Sequence, residues 1–207
     1  METTIRFDKQ YLEYAKINTW DLGNQVLYDL CAKFPQHRDK SEVVAKIWLI
    51  GRSYAASVER RKNKSKNNYD FYEDIVAPTM INSKLDQYLT RLNGEKKISE
   101  SNIETILATH KYLVDILEKI TKLNKRSLAS KYLHFHYPHL FYLFDSRASN
   151  SLRDIVRSKK ANEKYSNYDS TYVSFYLKAY ELHNFIKDKY DIDLSPRELD
   201  KILLWIY

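Results

Sequence analysis

The chain has 207 residues, 43% hydrophobic and 29% charged, enough apolar material for one globular domain or two small lobes. A formal net charge of +7 and a pI of about 9.2 favour a polyanionic partner, nucleic acid above all, because each phosphate neutralised by Lys or Arg releases counterions. Three glycines and one cysteine exclude a GxGxxG or GxxxxGK(S/T) phosphate-binding loop, an iron–sulfur cluster and an internal disulfide.

The opening METTIRFDKQ has no apolar stretch of the secretory type, and no window approaches 18 unbroken apolar residues, so neither export nor a membrane span is expected. The lone Cys31 fits a reducing cytosol, and a cytoplasmic, nucleoid-associated location is the expectation. From Phe7 to Phe34, Tyr11, Leu12, Ala15, Val26, Leu27, Leu30 and Cys31 recur at helical spacing. Asp21 is the expected cap of the second helix there, Pro35 its stop, and Trp20 a hydrophobic staple or a pocket wall. The next helix starts at Lys40-Ser41-Glu42 with Ser41 as N-cap, and Val44, Ile47, Trp48, Ile50 and Tyr54 are spaced for burial. Gly51 sits inside it, at a cost of about 1 kcal/mol relative to alanine, for a helix–helix contact or a close approach to the backbone.

Residues 59–68, ERRKNKSKNN, form a charge run that reads as a solvated turn or as a phosphate-contacting edge. A short helix over Leu85 to Leu92 ends near Asn93-Gly94. Ser99 to Leu123 carries the clearest amphipathic pattern, with Ser99 or Ser101 as cap, and Asn124-Lys125-Arg126 then makes a tight basic turn. After a second charge run (157–167), Tyr172 to Tyr190 reads as a helix. Ser195-Pro196-Arg197-Glu198 reads as a capping box opening the helix to Tyr207. Three glycines and four prolines are too few breakers for a sheet-rich fold. The expected class is all-α, one compact unit over 1–207. A two-lobed helical bundle is the finer version, about 1–95 with the C-terminal helix against about 96–190, the active cleft lying between them.

The chemistry concentrates in LNKRSLASKYLHFHYPHLFYLFDSRASNSLR, from Leu123 to Arg153. A basic turn opens a helix, and the apolar run Leu140 to Phe144 ends abruptly in Asp145-Ser146-Arg147. Asp145 and Ser146 are both N-cap candidates for a helix through Val156, so capping alone is one reading of Asp145. A carboxylate at the end of apolar sequence is also partly withdrawn from water, where its field is less screened, and a helix N-terminus keeps it ionised. His134, His136 and His139 straddle Pro138 without a cysteine partner. No metal is expected there, one histidine being core and another facing the groove.

This stretch resembles the helix-hairpin-helix DNA glycosylase superfamily, in which a hairpin precedes an apolar run that ends in a catalytic aspartate and a hydroxyl residue. Asp145 and Ser146 match that pair, and Ser127, eighteen residues earlier, matches the position that carries lysine in members with lyase activity. The match resembles the monofunctional branch. Lys131 lies one helical turn beyond Ser127 and stands in for that lysine if the alignment slips. The hairpin glycines are absent, so Lys125 and Arg126 would meet the phosphate with side chains.

The resemblance implies a DNA glycosylase-like fold and excision of a damaged or modified base from double-stranded DNA by N-glycosidic hydrolysis, in repair or against invading phage. No cofactor is implied, and a monomer is expected. Asp145 would stabilise the oxocarbenium-like transition state, with Lys131 as the second catalytic candidate. Lys125, Arg126, Ser127, Ser130, Ser146 and Arg147 would contact DNA. The flipped base would enter a pocket drawn from Trp20, Trp48, Tyr54, Tyr69 and His136. Two other classes compete. One is a non-catalytic helical DNA-binding or adaptor protein that keeps the hairpin. The other is a helical RNA-directed nuclease, but the arginine–histidine spacing sought for that class is absent.

Overall fold

The computed structural model describes residues 3–59, 70–157 and 163–207. The protein is mostly helical, as the scarcity of breakers requires. A 3-10 segment, Lys9–Lys16, leads into α1 (Asp21–Lys33) and α2 (Lys40–Ser53). A π-type turn, Tyr72–Val76, continues into the short helices α3 (Ala77–Ile81) and α4 (Leu85–Thr90). Then come α5 (Ile103–Thr121), α6 (Arg126–His136), α7 (Ser146–Ile155), α8 (Ser170–Tyr190) and α9 (Pro196–Ile206). Among the described residues, Thr4–Ile5 pairs antiparallel with Val156–Arg157, so Val156, expected inside the helix that follows Asp145, is a strand residue instead. Two residues per strand carry no alternation to read in sequence. Among the described residues, no helix is long and apolar enough to cross a membrane.

Several helix starts differ from the sequence expectation, and at α2 the residue with extended backbone just before the first turn wins the cap. Asp39, not Ser41, caps α2, its carboxylate accepting from the amides of Ser41 and Glu42. Asn102 holds the cap position of α5, and its side chain turns back to accept from the Ser99 amide at 2.9 Å, so neither Ser99 nor Ser101 caps it. Asp21 lies inside the first turn of α1 and pairs with Lys201 instead. The Ser195–Glu198 capping box forms in full. α5 ends at Thr121, where Lys122 turns left-handed at φ 58°, two residues before the expected basic turn. Gly51 answers to a close approach to its backbone, the second of the two expectations, and not to a second helix. A Cβ there would meet the Ser57 backbone at 3.2 Å, because the chain folds straight back after α2.

α6 is the axis of the core. Every residue from Leu128 to Phe135 is buried, including Ser130, Lys131 and His134, as befits a helix covered on all sides. α1, α2 and α5 pack around it, and the Leu140–Leu143 run is buried beside it. α9 returns to pack on the N-terminal 3-10 segment and on α7, which brings residues near the two ends of the chain together.

Candidate active site

Asp145 is the N-cap of α7, so the capping reading holds as far as it goes: its Oδ1 accepts from the Ala148 amide at 2.9 Å. The other oxygen is not spent on the helix. Oδ2 stands 3.9 Å from Lys131 Nζ, close enough for charge attraction but beyond hydrogen-bond reach. The Asp145 side chain remains 30% exposed while that of Lys131 is 3% exposed, so a half-open carboxylate backs onto a buried amine.

Lys131 is held rigidly. Its Nζ donates to Ser127 Oγ at 2.8 Å and to the Phe144 carbonyl at 2.9 Å, and lies 5.7 Å from the centre of the Tyr54 ring. An ammonium has three N–H groups, so one is left on the side of Asp145. Burial lowers the lysine pKa, while Asp145 and then Asp200 oppose that shift. Ser130 orders the same corner: its hydroxyl donates to the Ser127 carbonyl and accepts from the Phe144 amide at 2.9 Å.

α9 adds a second carboxylate that sequence reading missed. Asp200 is buried and paired with Arg197 at 2.5 Å. Burial pushes its carboxyl up to about 6, against the pull of Arg197, with the Asp145 charge adding to the rise. α1 supplies two more polar groups. Asn24 accepts from the Tyr54 hydroxyl at 2.8 Å, and the Tyr28 hydroxyl donates to His134 Nε2 at 2.7 Å. His134 Nδ1–H donates to the Phe141 carbonyl at 2.8 Å, which fixes the tautomer, and burial holds its pKa down at about 3. Three buried atoms in this region, Asn24 Nδ2, Arg197 Nε and Asp200 Oδ1, have no hydrogen-bond partner among the described residues. Buried polar atoms are almost always paired, so three together mark a place built for more than folding. The signal for Asp200 was in the sequence: it occupies the buried stripe Pro196, Leu199, Asp200, Leu203 of α9, where an apolar residue is the rule.

The remaining expected residues are dispersed. Tyr54 joins Lys131, but Trp48 is 44% exposed and faces another cavity beside Lys40 and Tyr72, on the outer side of α2. Trp20 packs no staple; it is 75% exposed and lines a cavity beside Arg147. His136 packs at a tilt against His37 and Tyr132, next to the chain in which His37 joins Asp86 to the Tyr132 hydroxyl. Tyr69 and residues 60–68 lie outside the described residues. The expected DNA contacts are mostly committed inside the protein. Ser130 is buried, Lys125 donates to the Ser57 carbonyl at 3.0 Å, and Arg126 Nε donates to both oxygens of Asp169 at 3.0 and 3.1 Å. Ser127 is tied to Lys131, which leaves Ser146 and Arg147 as the exposed members of the set.

Comparison with protein-family models, with curated proteins and with solved structures returned no match. What the fold and the site define by themselves is a mostly helical protein whose central buried helix holds a lysine against the carboxylate that opens the next helix.

Proposed function

We propose that the protein is a DNA glycosylase of the helix-hairpin-helix type, two-lobed, excising a damaged or modified base through Asp145 and Lys131. The observation that carries this reading is the division of labour in Asp145: one oxygen is anchored by the α7 amide, and the other is unspent and faces a buried amine. An ionised, partly desolvated carboxylate stabilises the positive charge that develops on the sugar as the N-glycosidic bond breaks. The lysine amine has two roles open to it. As an ammonium it fixes the carboxylate, and water completes hydrolysis at C1′. As a free amine, favoured by its lowered pKa, it attacks C1′ itself and the base departs. The hydrogen bond from Lys131 to Ser127 supports the second role, because it puts an amine beside the residue that matches the lyase position of the family.

The test uses duplexes carrying different modified bases, with alkali to reveal abasic sites. Asp145→Asn should abolish the breaks while Arg153→Ala leaves them unchanged. Borohydride trapping of a protein–DNA adduct, lost in Lys131→Gln, would assign the amine as nucleophile. Binding without abasic sites on any substrate would instead make this a non-catalytic DNA-binding or adaptor protein.

A further inference from the structure

Beside the candidate site, the start of α1, the start of α7 and the end of α9 enclose a cavity of about 360 Å³, the size of a small-ligand pocket. Its walls are aromatic. Trp20 is 75% exposed and Trp205 58% exposed, two large indoles in water on one cavity. Trp205 is the end of a ladder: it stacks on Tyr14 at 5.7 Å and 16°, and Tyr14 stacks on Tyr11 at 6.2 Å and 16°. Another flat ring would extend that ladder on the indole.

The charged part of the lining is mostly cationic. Arg147, Arg197 and Lys201 face a single acid, Asp21. Lys201 answers that acid at 2.8 Å, and Arg197 answers buried Asp200, but its Nε has no hydrogen-bond partner among the described residues. Arg147 has no acidic partner there; it donates to the Leu204 carbonyl at 3.3 Å and lies 5.6 Å from the Tyr207 ring. Exposed rings together with an unneutralised guanidinium suit a ligand that is flat and apolar on one part and anionic on another. A second copy of this chain, net +7, fits that rim poorly.

We propose that this cavity binds an unpaired nucleotide of a nucleic-acid strand, its base on Trp20 and Trp205 and its phosphate on Arg147. The site rests on the nucleic-acid half of the proposed function and not on its chemistry. An extruded or single-stranded base has a free face to stack, which a base inside a duplex lacks.

Tryptophan fluorescence tests it in the full chain. Trp48 lies in a different cavity, so Trp48→Phe leaves two indoles, both at this site. In that background a ten-nucleotide thymidine strand at low salt should quench the emission, and a blunt matched duplex should quench it far less. Trp20→Ala, at an exposed position that cannot unsettle the core, should weaken binding about tenfold or more, the scale of one base stack. Arg147→Gln should lower the slope of log affinity against log salt by about 0.7, one single-strand phosphate contact. Absence of quenching, equal quenching by the duplex, or equal quenching by thymidine monophosphate at matched nucleotide concentration would each overturn the assignment. So would a concentration-dependent doubling of mass that shifts the indole emission without DNA. Excision that persists without quenching sinks this site alone; quenching that persists without excision sinks the enzymatic reading alone.

Discussion

Two of the aspartates that open helices in this protein are spent in opposite ways. Asp169, 5% exposed, accepts from the Tyr172 amide at 2.9 Å, from Arg126 at 3.0 and 3.1 Å and from Asn124 at 3.1 Å, so both its oxygens are saturated. Asp145 accepts one backbone amide at 2.9 Å and keeps its second oxygen turned to Lys131 at 3.9 Å. In sequence the two give the same local signal, an aspartate before a helix. Spare capacity, not cap position, separates a carboxylate that holds the fold from one able to act on something else.

The largest stability effect is expected where nothing is spare. Asp169→Ala strips Arg126 and Asn124 of their partner, and urea denaturation should show a loss of about 2–4 kcal/mol, below the full value for a buried pair because Arg126 is partly solvated. A loss no larger than an ordinary cap, about 1 kcal/mol, would erase the contrast. Asp145→Asn should do the reverse. Asparagine caps as well as aspartate, so stability should move by less than about 0.5 kcal/mol. Abasic-site formation should nevertheless fall by about 100-fold or more, the scale of a lost electrostatic contact to a transition state.

Acidification sharpens the comparison by sign. Burial works to raise the Asp169 pKa, but the hydrogen bonds from Arg126, the Tyr172 amide and Asn124 hold it below the ordinary 3.8. Its stabilisation is present above that value and is lost as pH falls through the folded-state pKa. Asp200 is raised to about 6, so the folded state favours its protonated form, and its contribution weakens as pH rises from about 4 to about 6. His134, held at about 3 by burial, makes the fold lose stability as pH falls from 6.5 towards 3. Denaturation midpoints across pH 3 to 7 should therefore show Asp200→Asn gaining on the wild type between pH 4 and 6 and holding that difference above it. His134→Gln should flatten the acid limb. A parallel offset at every pH would contradict both assignments.

The smallest effect concerns the turn that delivers α6. Lys122 sits at φ 58°, where glycine carries no Cβ penalty, so Lys122→Gly should stabilise the protein by about 0.5–1 kcal/mol in thermal unfolding. Destabilisation would show that the lysine side chain contributes more than its backbone costs.

The amphipathic stripe of α5, the Ser195–Glu198 box of α9, the Asp145 cap and the apolar run that is buried behind it were all legible in the residues themselves. Each depends on hydrogen bonds or side-chain periodicity spanning only a few positions, and these follow from local chemistry. Ranking Asp39 over Ser41 required the backbone angles of the entering chain. The joining of Lys131 and Asp145 to Asp200 and Arg197 was set by α9 folding back across the molecule, and that to Asn24 and Tyr54 by the packing of α1 and α2 on α6. So was the exposure of Trp20 and Trp205 around one cavity. Residue order alone determined the longer amphipathic helices, such as α5, α8 and α9, and which carboxylate ends the apolar run. Tertiary packing decided which polar groups are saturated and which retain an unused valence, because that depends on partners from other elements, tens of residues away for Asp169 and more than a hundred for His134 and Asp21.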